Sequence, residues 1–225
     1  MKMNRLAIAC GAAMLGLSSV AAAEISANIG VTSNYIWRGL TQTGNSTALS
    51  GGFDWADESG VYAGTWLSEA WDDYELDLYG GYAGEVGDFG YDLGLIYYTY
   101  SDDAESNFLE LAVGGSWQFL SAGLNYVVSA EDAVEVVEED LYYYLGASFD
   151  LPQDFSVGLT VGFVEPDGDG DDDLEDYTHY QVDLTKAAGD FGDVTLSLSD
   201  TDLDDTDAAG EDADMRFFIS WSKGF

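Results

Sequence analysis

The sequence predicts an all-β fold, a transmembrane antiparallel up-and-down β-barrel of about 12 strands. Three observations carry this prediction. Apolar and polar residues alternate with a period of two from residue 25 to the end of the chain. Short turns and longer polar connections alternate between the segments, as in bacterial outer-membrane barrels. The chain also ends on Phe225, at the end of an amphipathic segment. That ending resembles the signal by which outer-membrane proteins are delivered for assembly.

The first segment, residues 25–38, shows the alternation most clearly. Ile25, Ile29 and Trp37 fall on one face, and Asn28 and Arg38 fall on the other. Eleven further strand segments are predicted at 47–55, 60–68, 74–84, 89–100, 107–117, 120–128, 140–150, 155–164, 177–186, 193–199 and 214–225. The longer connections are predicted at 39–46, 69–73, 101–106, 129–139, 165–176 and 200–213.

Composition limits what the protein can bind. The chain has 6 Lys and Arg against 43 Asp and Glu, a net charge of -37. A chain of this charge has no basic face with which to bind nucleic acid. Intrinsic disorder is disfavoured because 47% of the residues are hydrophobic and 14% are aromatic. The acidic residues fall in the connections or on the polar face of the predicted strands, so the apolar face is predicted to contact lipid.

The first 23 residues have the pattern of a cleaved signal peptide. Lys2 and Arg5 precede an apolar stretch, and an A-x-A cleavage site ends at Ala23. A retained membrane anchor is the alternative. The predicted division is therefore a signal peptide at 1–23 and a barrel at 24–225, in the outer membrane of a Gram-negative bacterium. The one cysteine, Cys10, lies within the signal, so the mature chain has no thiol.

A soluble β-sandwich or a lipocalin-like barrel would also alternate, with its apolar face turned inward. The number of segments and the terminal Phe225 favour the membrane alternative. So do the aromatic residues at the predicted strand ends, which are Tyr35, Trp37, Trp55, Phe89, Tyr97, Trp117 and Phe149.

The stretch Asn28 to Thr43, NIGVTSNYIWRGLTQT, resembles the start of the TorF-like family of outer-membrane porins, formerly catalogued as conserved hypothetical bacterial proteins. The likeness rests mainly on SNYIWRG, residues 33–39, and on Gln42. The resemblance implies an outer-membrane barrel that forms a pore. It implies no substrate and no ligand residues.

Five charged residues are predicted to line a constriction. Arg38 and Arg216 would lie at the outer ends of the first and last strands, which must be neighbours in a closed barrel. Glu75, Asp77 and Glu110 would lie at similar heights across the lumen. Such an arrangement gives a transverse field, and rings of charge set ion selectivity in pores. The alternative is that the arginines form structural salt bridges that pack the lumen.

Large side chains on the predicted lumen face indicate a narrow passage. They are Tyr79, Ile96, Tyr98, Tyr100, Phe108, Tyr142, Tyr144 and Phe218.

Two of the longer connections are strongly acidic. In residues 165–176, Asp167, Asp169 and Asp171 have the alternate spacing of a calcium loop. However, Asp172 stands where an EF-hand needs glycine, which favours a solvated acidic surface over a specific calcium site. Such a surface enriches cations at the outer mouth, so weak cation selectivity is expected.

Catalysis is disfavoured. The one histidine, His179, falls on the lumen face, and there is no G-x-S-x-G motif. The sequence thus predicts a non-enzymatic channel for ions or small hydrophilic solutes, without cofactor or metal, and the monomer is the default oligomeric state. The partners expected are outer-membrane lipid, the barrel-assembly machinery and small hydrophilic solutes or cations. A non-conducting structural or adhesion barrel that displays acidic loops is the alternative, and an outer-membrane hydrolase is less favoured.

Overall fold

The computed structural model describes residues 24–70, 73–101, 106–131, 136–167, 175–203 and 214–225. The predicted signal peptide lies outside these residues. The strands are β1 Glu24–Thr32, β2 Ile36–Trp37, β3 Leu40–Thr41, β4 Ala48–Ala56, β5 Val61–Ala70, β6 Asp73–Val86, β7 Phe89–Tyr100, β8 Phe108–Trp117, β9 Leu120–Ala130, β10 Leu141–Leu151, β11 Phe155–Glu165, β12 Tyr177–Ala187, β13 Asp193–Thr201 and β14 Arg216–Gly224. Within the described ranges, no helix is both long enough and apolar enough to cross a membrane.

Twelve of these strands, β1 and β4–β14, form a closed antiparallel barrel. Each strand pairs with its neighbour in sequence, and β14 pairs with β1, with Thr32 opposite Ser220 and Asn28 opposite Gly224. Closure removes the unpaired edges that an open sheet would expose. The predicted fold class is confirmed, and from β4 to β14 the strand bounds lie within two residues of the predicted ones.

The two faces of the wall differ in polarity, and the apolar face is outside. On β12, His179 is buried inside the barrel, whereas Tyr180 and Val182 are exposed on the outer surface. The same alternation places Leu95 and Leu145 on the outside of other strands. A soluble lipocalin-like barrel would show the opposite arrangement, so this alternative is excluded.

Charged residues on the outward-facing parity lie near strand ends. Glu69, Glu165 and Asp200 are within two residues of the ends of β5, β11 and β13, whereas the predicted bounds placed them in the connections. Lys186 and Lys223 lie at the opposite end, where each ammonium group donates a hydrogen bond to a backbone carbonyl of a turn. At both ends, a long side chain can reach the polar layer of the membrane.

Two other predictions are corrected. The first strand ends at Thr32 and not at Arg38. Residues 33–47 then leave the wall and return to it at β4. The connection predicted at 69–73 is also short, since only residues 71–72 separate β5 from β6.

Candidate functional site in the lumen

Residues 33–47, called here the inner segment, fold into the barrel as a small hairpin of β2 and β3. Trp37 pairs with Leu40 across a two-residue turn. The turn residues Arg38 and Gly39 have φ values of 50° and 94°, the left-handed conformation that tight hairpins require. The aromatic residues Tyr35 and Trp37, predicted to face lipid, therefore face the lumen.

Polar side chains hold the inner segment together. The Asn34 Oδ1 atom accepts hydrogen bonds from the hydroxyls of Thr41 at 2.5 Å and Thr43 at 3.2 Å. The Thr43 hydroxyl in turn accepts from the backbone N–H of Tyr35 at 3.1 Å. Asn34, Thr41 and Thr43 are all buried, so these bonds replace the water that the side chains lose.

Tyr35 attaches the inner segment to the wall at β5 and β6. Its ring packs edge-on against Trp66, with the ring centroids 5.6 Å apart. Its hydroxyl donates a 2.8 Å hydrogen bond to Glu75. Glu75 accepts a second bond, at 3.1 Å, from the Tyr100 hydroxyl. The buried Glu75 carboxyl is thus hydrogen-bonded by two tyrosine hydroxyls.

Arg38 makes the charged contact with the wall. Its Nη2 atom lies 2.5 Å from Glu110 Oε1, and the two side chains are only 8% and 0% exposed. The other Glu110 oxygen accepts bonds from Tyr98 at 3.2 Å and Asn125 at 3.1 Å. Charge-assisted bonds of this kind are stronger than neutral ones, and burial protects the pair from screening.

Two aromatic rings flank the Arg38 guanidinium. Its central carbon lies 4.1 Å from the ring centroid of Trp37, in the inner segment itself, and 4.5 Å from that of Tyr142 on β10. A desolvated cation is attracted to the negative face of an aromatic ring. The wall therefore offers the guanidinium a carboxylate from β8 and an aromatic face from β10.

The tip of the inner segment reaches the far side of the barrel. A Cβ atom at Gly39 would lie 2.7 Å from His179 Cβ on β12 and 2.7 Å from Thr201 Cγ2 on β13. Leu40 packs against a buried cluster that includes Tyr142 and Tyr177. The inner segment thus contacts the wall from β5 round to β13 and crosses the lumen.

Asp77 lies in the same region without a hydrogen-bonding partner. The residue is 1% exposed, and neither carboxyl oxygen has a partner among the described residues. The negative charges of Glu75 and Glu110 act on it. Of the three acidic side chains, Glu110 pairs with Arg38, Glu75 is bonded by two tyrosine hydroxyls, and Asp77 lies within the field of the other two.

The structure brings together four of the five predicted constriction residues and leaves Arg216 apart. Arg38, Glu75, Asp77 and Glu110 lie in the lumen, and Arg216 also faces inward, but its ion pair is with Asp214 at 3.2 Å, near the outer end of β14. The expected basic wall opposite an acidic wall does not form, because the inner segment carries Arg38 across to Glu110. The observed geometry of Arg38 agrees with the alternative prediction, in which the arginine forms a structural salt bridge that packs the lumen.

The large lumen residues lie where they were predicted. Ile96, Tyr98 and Phe108 form a buried cluster against which Trp37 packs. The Tyr142 hydroxyl lies within hydrogen-bonding distance, 2.9 Å, of His179 Nε2. No group of three or more His, Cys, Asp or Glu within the described ranges is placed to hold a metal ion.

The acidic connections are described only in part. Asp169 and Asp171, with the calcium-like spacing, lie outside the described residues, so the preference for a solvated acidic surface over a calcium site stays a prediction. Among the described residues, Asp140 accepts bonds from the backbone N–H groups of Val137 at 3.0 Å and Asp167 at 2.8 Å. Burial raises the pKa of Asp140 above its ordinary value, and the two N–H groups oppose this rise.

A closed twelve-stranded barrel with an apolar outer face and a charged lumen defines the class of porin-like membrane barrels. Residues 18–221 match the family described as "Bacterial protein of unknown function (Gcw_chp)", and the chain belongs to this family. That description carries no TorF-like name. No curated protein matches the chain significantly.

Several solved porins have a similar fold. The KdgM porin aligns with a TM-score of 0.59 at 8% identity, covering 89% of this chain and 98% of that one. The NanC porin aligns with a TM-score of 0.52 at 12% identity, with coverages of 89% and 98%. The Acinetobacter baumannii outer membrane protein Omp33 aligns with a TM-score of 0.52 at 6% identity, with coverages of 89% and 96%. At these identities the likeness shows the fold alone.

Proposed function

We propose that the protein is an outer-membrane, porin-like channel through which ions or small hydrophilic solutes diffuse. The observation that carries this proposal is the polarity of the barrel, with apolar residues outside and buried charged residues inside. Isolated charges are costly in a lumen unless they serve a polar path or are paired. The likeness to KdgM, NanC and Omp33, and the resemblance of residues 33–39 to the TorF-like porins, support the same function and the same location.

Weak cation selectivity follows from the charges of the lumen. The described acidic residues that face it include Asp54, Glu75, Asp77, Asp92, Glu110 and Asp183. In the described ranges, Arg38 and Arg216 are the basic residues of the barrel interior, and both are in ion pairs. An acidic path with low-dielectric walls attracts cations and repels anions.

One similar structure is of the KdgM porin in complex with disordered oligogalacturonate, whose sugars carry carboxylates. An anion of this type would meet the carboxylates of Glu75 and Asp77 in the present lumen. We therefore propose that this chain passes cations or neutral solutes and not anions of this type. We also propose that the protein has no enzymatic activity. The remaining proposed partners are membrane lipid and the assembly machinery, with the monomer as the functional unit.

Planar-bilayer recording of refolded residues 24–225 under a KCl gradient tests the proposal. Discrete conductance steps with a cation-selective reversal potential are expected. An anion-selective reversal would retain the pore and contradict the electrostatic argument. The absence of steps from a correctly folded barrel would contradict the pore itself.

The second candidate is a barrel that does not conduct and serves a structural or adhesive role. The observation in its favour is the inner segment, which crosses the lumen and buries Tyr35 and Thr41. The two candidates differ in whether this segment leaves the lumen. Wild-type protein that stays silent while variants with a released inner segment conduct would favour the closed barrel.

A further inference from the structure

We propose that the lumen wall around Glu110 is a binding site for the guanidinium or ammonium group of a small organic cation, and that Arg38 occupies this site when the inner segment is in place. The inference rests on the proposed channel function and names the solute class that it would favour. It rests on two observations: Glu110 and Tyr142 surround the Arg38 guanidinium, and Asp77 is buried nearby without a hydrogen-bonding partner among the described residues.

The wall supplies both features that bind an organic cation. Glu110 provides a carboxylate oxygen 2.5 Å from the Arg38 guanidinium, and Tyr142 provides a ring face 4.5 Å from its central carbon. Tyr98 and Asn125 donate hydrogen bonds to the second Glu110 oxygen and hold the carboxylate in place. All four side chains belong to barrel strands, so the site remains when the inner segment moves away.

Among the described residues around this part of the wall, the buried acidic groups Glu75, Asp77 and Glu110 outnumber the cation, Arg38. Glu75 is bound by neutral hydroxyls of Tyr35 and Tyr100, and Asp77 has no hydrogen-bonding partner among the described residues. Asp77 is 1% exposed and lies within the field of both Glu75 and Glu110. A solute with several N–H donors could bond to Asp77 and Glu110, which Arg38 alone does not do.

The inner segment is a competitor for this site because it is a short hairpin tethered at both ends. Its ion pair with Glu110 is of the same chemical type as the contact that a free guanidinium would make. A cationic solute that binds the wall therefore favours the position in which the inner segment has released Glu110. Binding and opening are coupled by this shared carboxylate.

The direct test removes the competitor and supplies the free cation. In folded Arg38→Ala protein in detergent, guanidinium chloride is titrated in the millimolar range with tryptophan fluorescence as the readout, and KCl at equal ionic strength is the reference. A saturable response to guanidinium is expected. In Arg38→Ala/Glu110→Gln protein the half-saturating concentration should rise by about tenfold or more, since a charge-assisted bond is lost. Equal responses of the two variants would overturn the inference.

Two matched variants protect the test from trivial effects. Asp183→Asn removes one lumen carboxylate from the far wall, where Asp183 is bonded to Gln181 and Ser197. Introduced into Arg38→Ala protein, it should leave the guanidinium response unchanged, whereas Asp77→Asn should weaken it. An equal effect of both would indicate loss of net charge and overturn the site. If Arg38→Ala does not fold, Arg38→Gln is titrated in its place with the same expectation.

Bilayer recording separates this inference from the proposed function. Guanidinium should be more permeant than potassium in Arg38→Ala channels, and this preference should be lost with Glu110→Gln. Conducting channels without this preference would contradict the cation site and leave the porin proposal intact. Saturable guanidinium binding by variants that never conduct would contradict the porin and leave the site intact.

Discussion

The proposed opening of the lumen depends on Arg38, because its buried charge is paired with one carboxylate, that of Glu110. The sequence predicted that Arg38 and Glu110 would both face the lumen, since each lies on the polar parity of its segment. It did not predict that they would pair. That outcome depends on the turn at Arg38 and Gly39, which brings the guanidinium across the barrel.

Glu110→Gln should release the inner segment. Removing one member of a buried ion pair leaves the other charge uncompensated, at a cost of about 3–5 kcal/mol. Because the hairpin is covalently joined to the wall only at its two ends, and its other contacts with the wall are non-covalent, it can escape this cost by leaving the lumen. Single-channel conductance should therefore rise above the wild-type value. The Asp183→Asn variant, which keeps the Arg38 contact, serves as control, and an equal conductance of wild type and Glu110→Gln would contradict the account.

Gly162 is a second residue at which the lumen is tightly packed. A Cβ atom there would lie 2.7 Å from the Tyr142 ring and 2.6 Å from His179 Cδ2, and His179 is 1% exposed. Overpacking of this kind costs about 1–3 kcal/mol, so Gly162→Ala should unfold at lower urea concentration than wild type.

The matched control lies on the same strand and the same face. At Gly158 a Cβ atom would be 3.6 Å from Asp183, an ordinary contact, so Gly158→Ala should unfold as wild type does. Urea titrations of the barrel in lipid vesicles compare the two. A similar loss of stability in both variants would show that strand propensity, and not packing, is responsible.

At the scale of the elements, the barrel strands were predictable and the inner segment was not. The period of two and the turn residues place β4–β14 within two residues of their observed bounds. The first segment was assigned too long because Tyr35 and Trp37 continue the same parity beyond Thr32. Aromatic residues are expected both at membrane interfaces and in packed lumens, so parity alone does not separate these two environments. A turn with Arg-Gly at its centre was the available signal, since paired left-handed residues are typical of tight hairpins.

Gly39→Ala should displace the inner segment without unfolding the barrel. The residue has φ of 94°, and an added Cβ would lie 2.7 Å from both His179 Cβ and Thr201 Cγ2. The tip of the hairpin has no space to shift deeper, so the segment should withdraw and conductance should rise.

The control for this prediction is Gly189→Ala. Gly189 also has a positive φ, of 62°, but an added Cβ would have no neighbour within 4 Å. Its substitution also places a side chain at positive φ, while its position in a turn is far in sequence from the inner segment. Bilayer conductance should be unchanged in this variant. An increase in both variants would mean that general backbone strain, and not the hairpin tip, controls the channel.

The whole molecule has the polarity of a protein dissolved in lipid, with exposed leucines outside and carboxylates inside. This arrangement was predictable because the sequence separates the two residue classes by parity. The filling of the lumen was not predictable, because it depends on the inner segment, a connection between barrel strands that turns inward. The net charge excluded nucleic acid as a partner, but it did not predict that the inner segment fills the lumen.

A charge on the outer face should be destabilising according to its depth. Leu145 is 58% exposed at the middle of β10, and Ile25 is 76% exposed near the end of β1. Arginine costs about 2–4 kcal/mol at the midplane and about 0–1 kcal/mol near the interface. Leu145→Arg should thus lose far more stability in vesicles than Ile25→Arg. Equal losses would contradict the placement of this face in lipid.

We propose that the inner segment opens and closes the polar pore, and a reversible crosslink tests this proposal most directly. The chain from residue 24 onward has no cysteine, so Gly39→Cys/Thr201→Cys introduces the one possible disulfide. A Gly39 Cβ would lie 2.7 Å from Thr201 Cγ2, close enough for the two sulfurs to bond, and the disulfide would then hold the tip against the wall despite its tight contact with His179. Bilayer conductance of this variant should be low when the disulfide is formed and should rise when a reductant is added. The same conductance in both states, with the disulfide verified by mass, would contradict the claim.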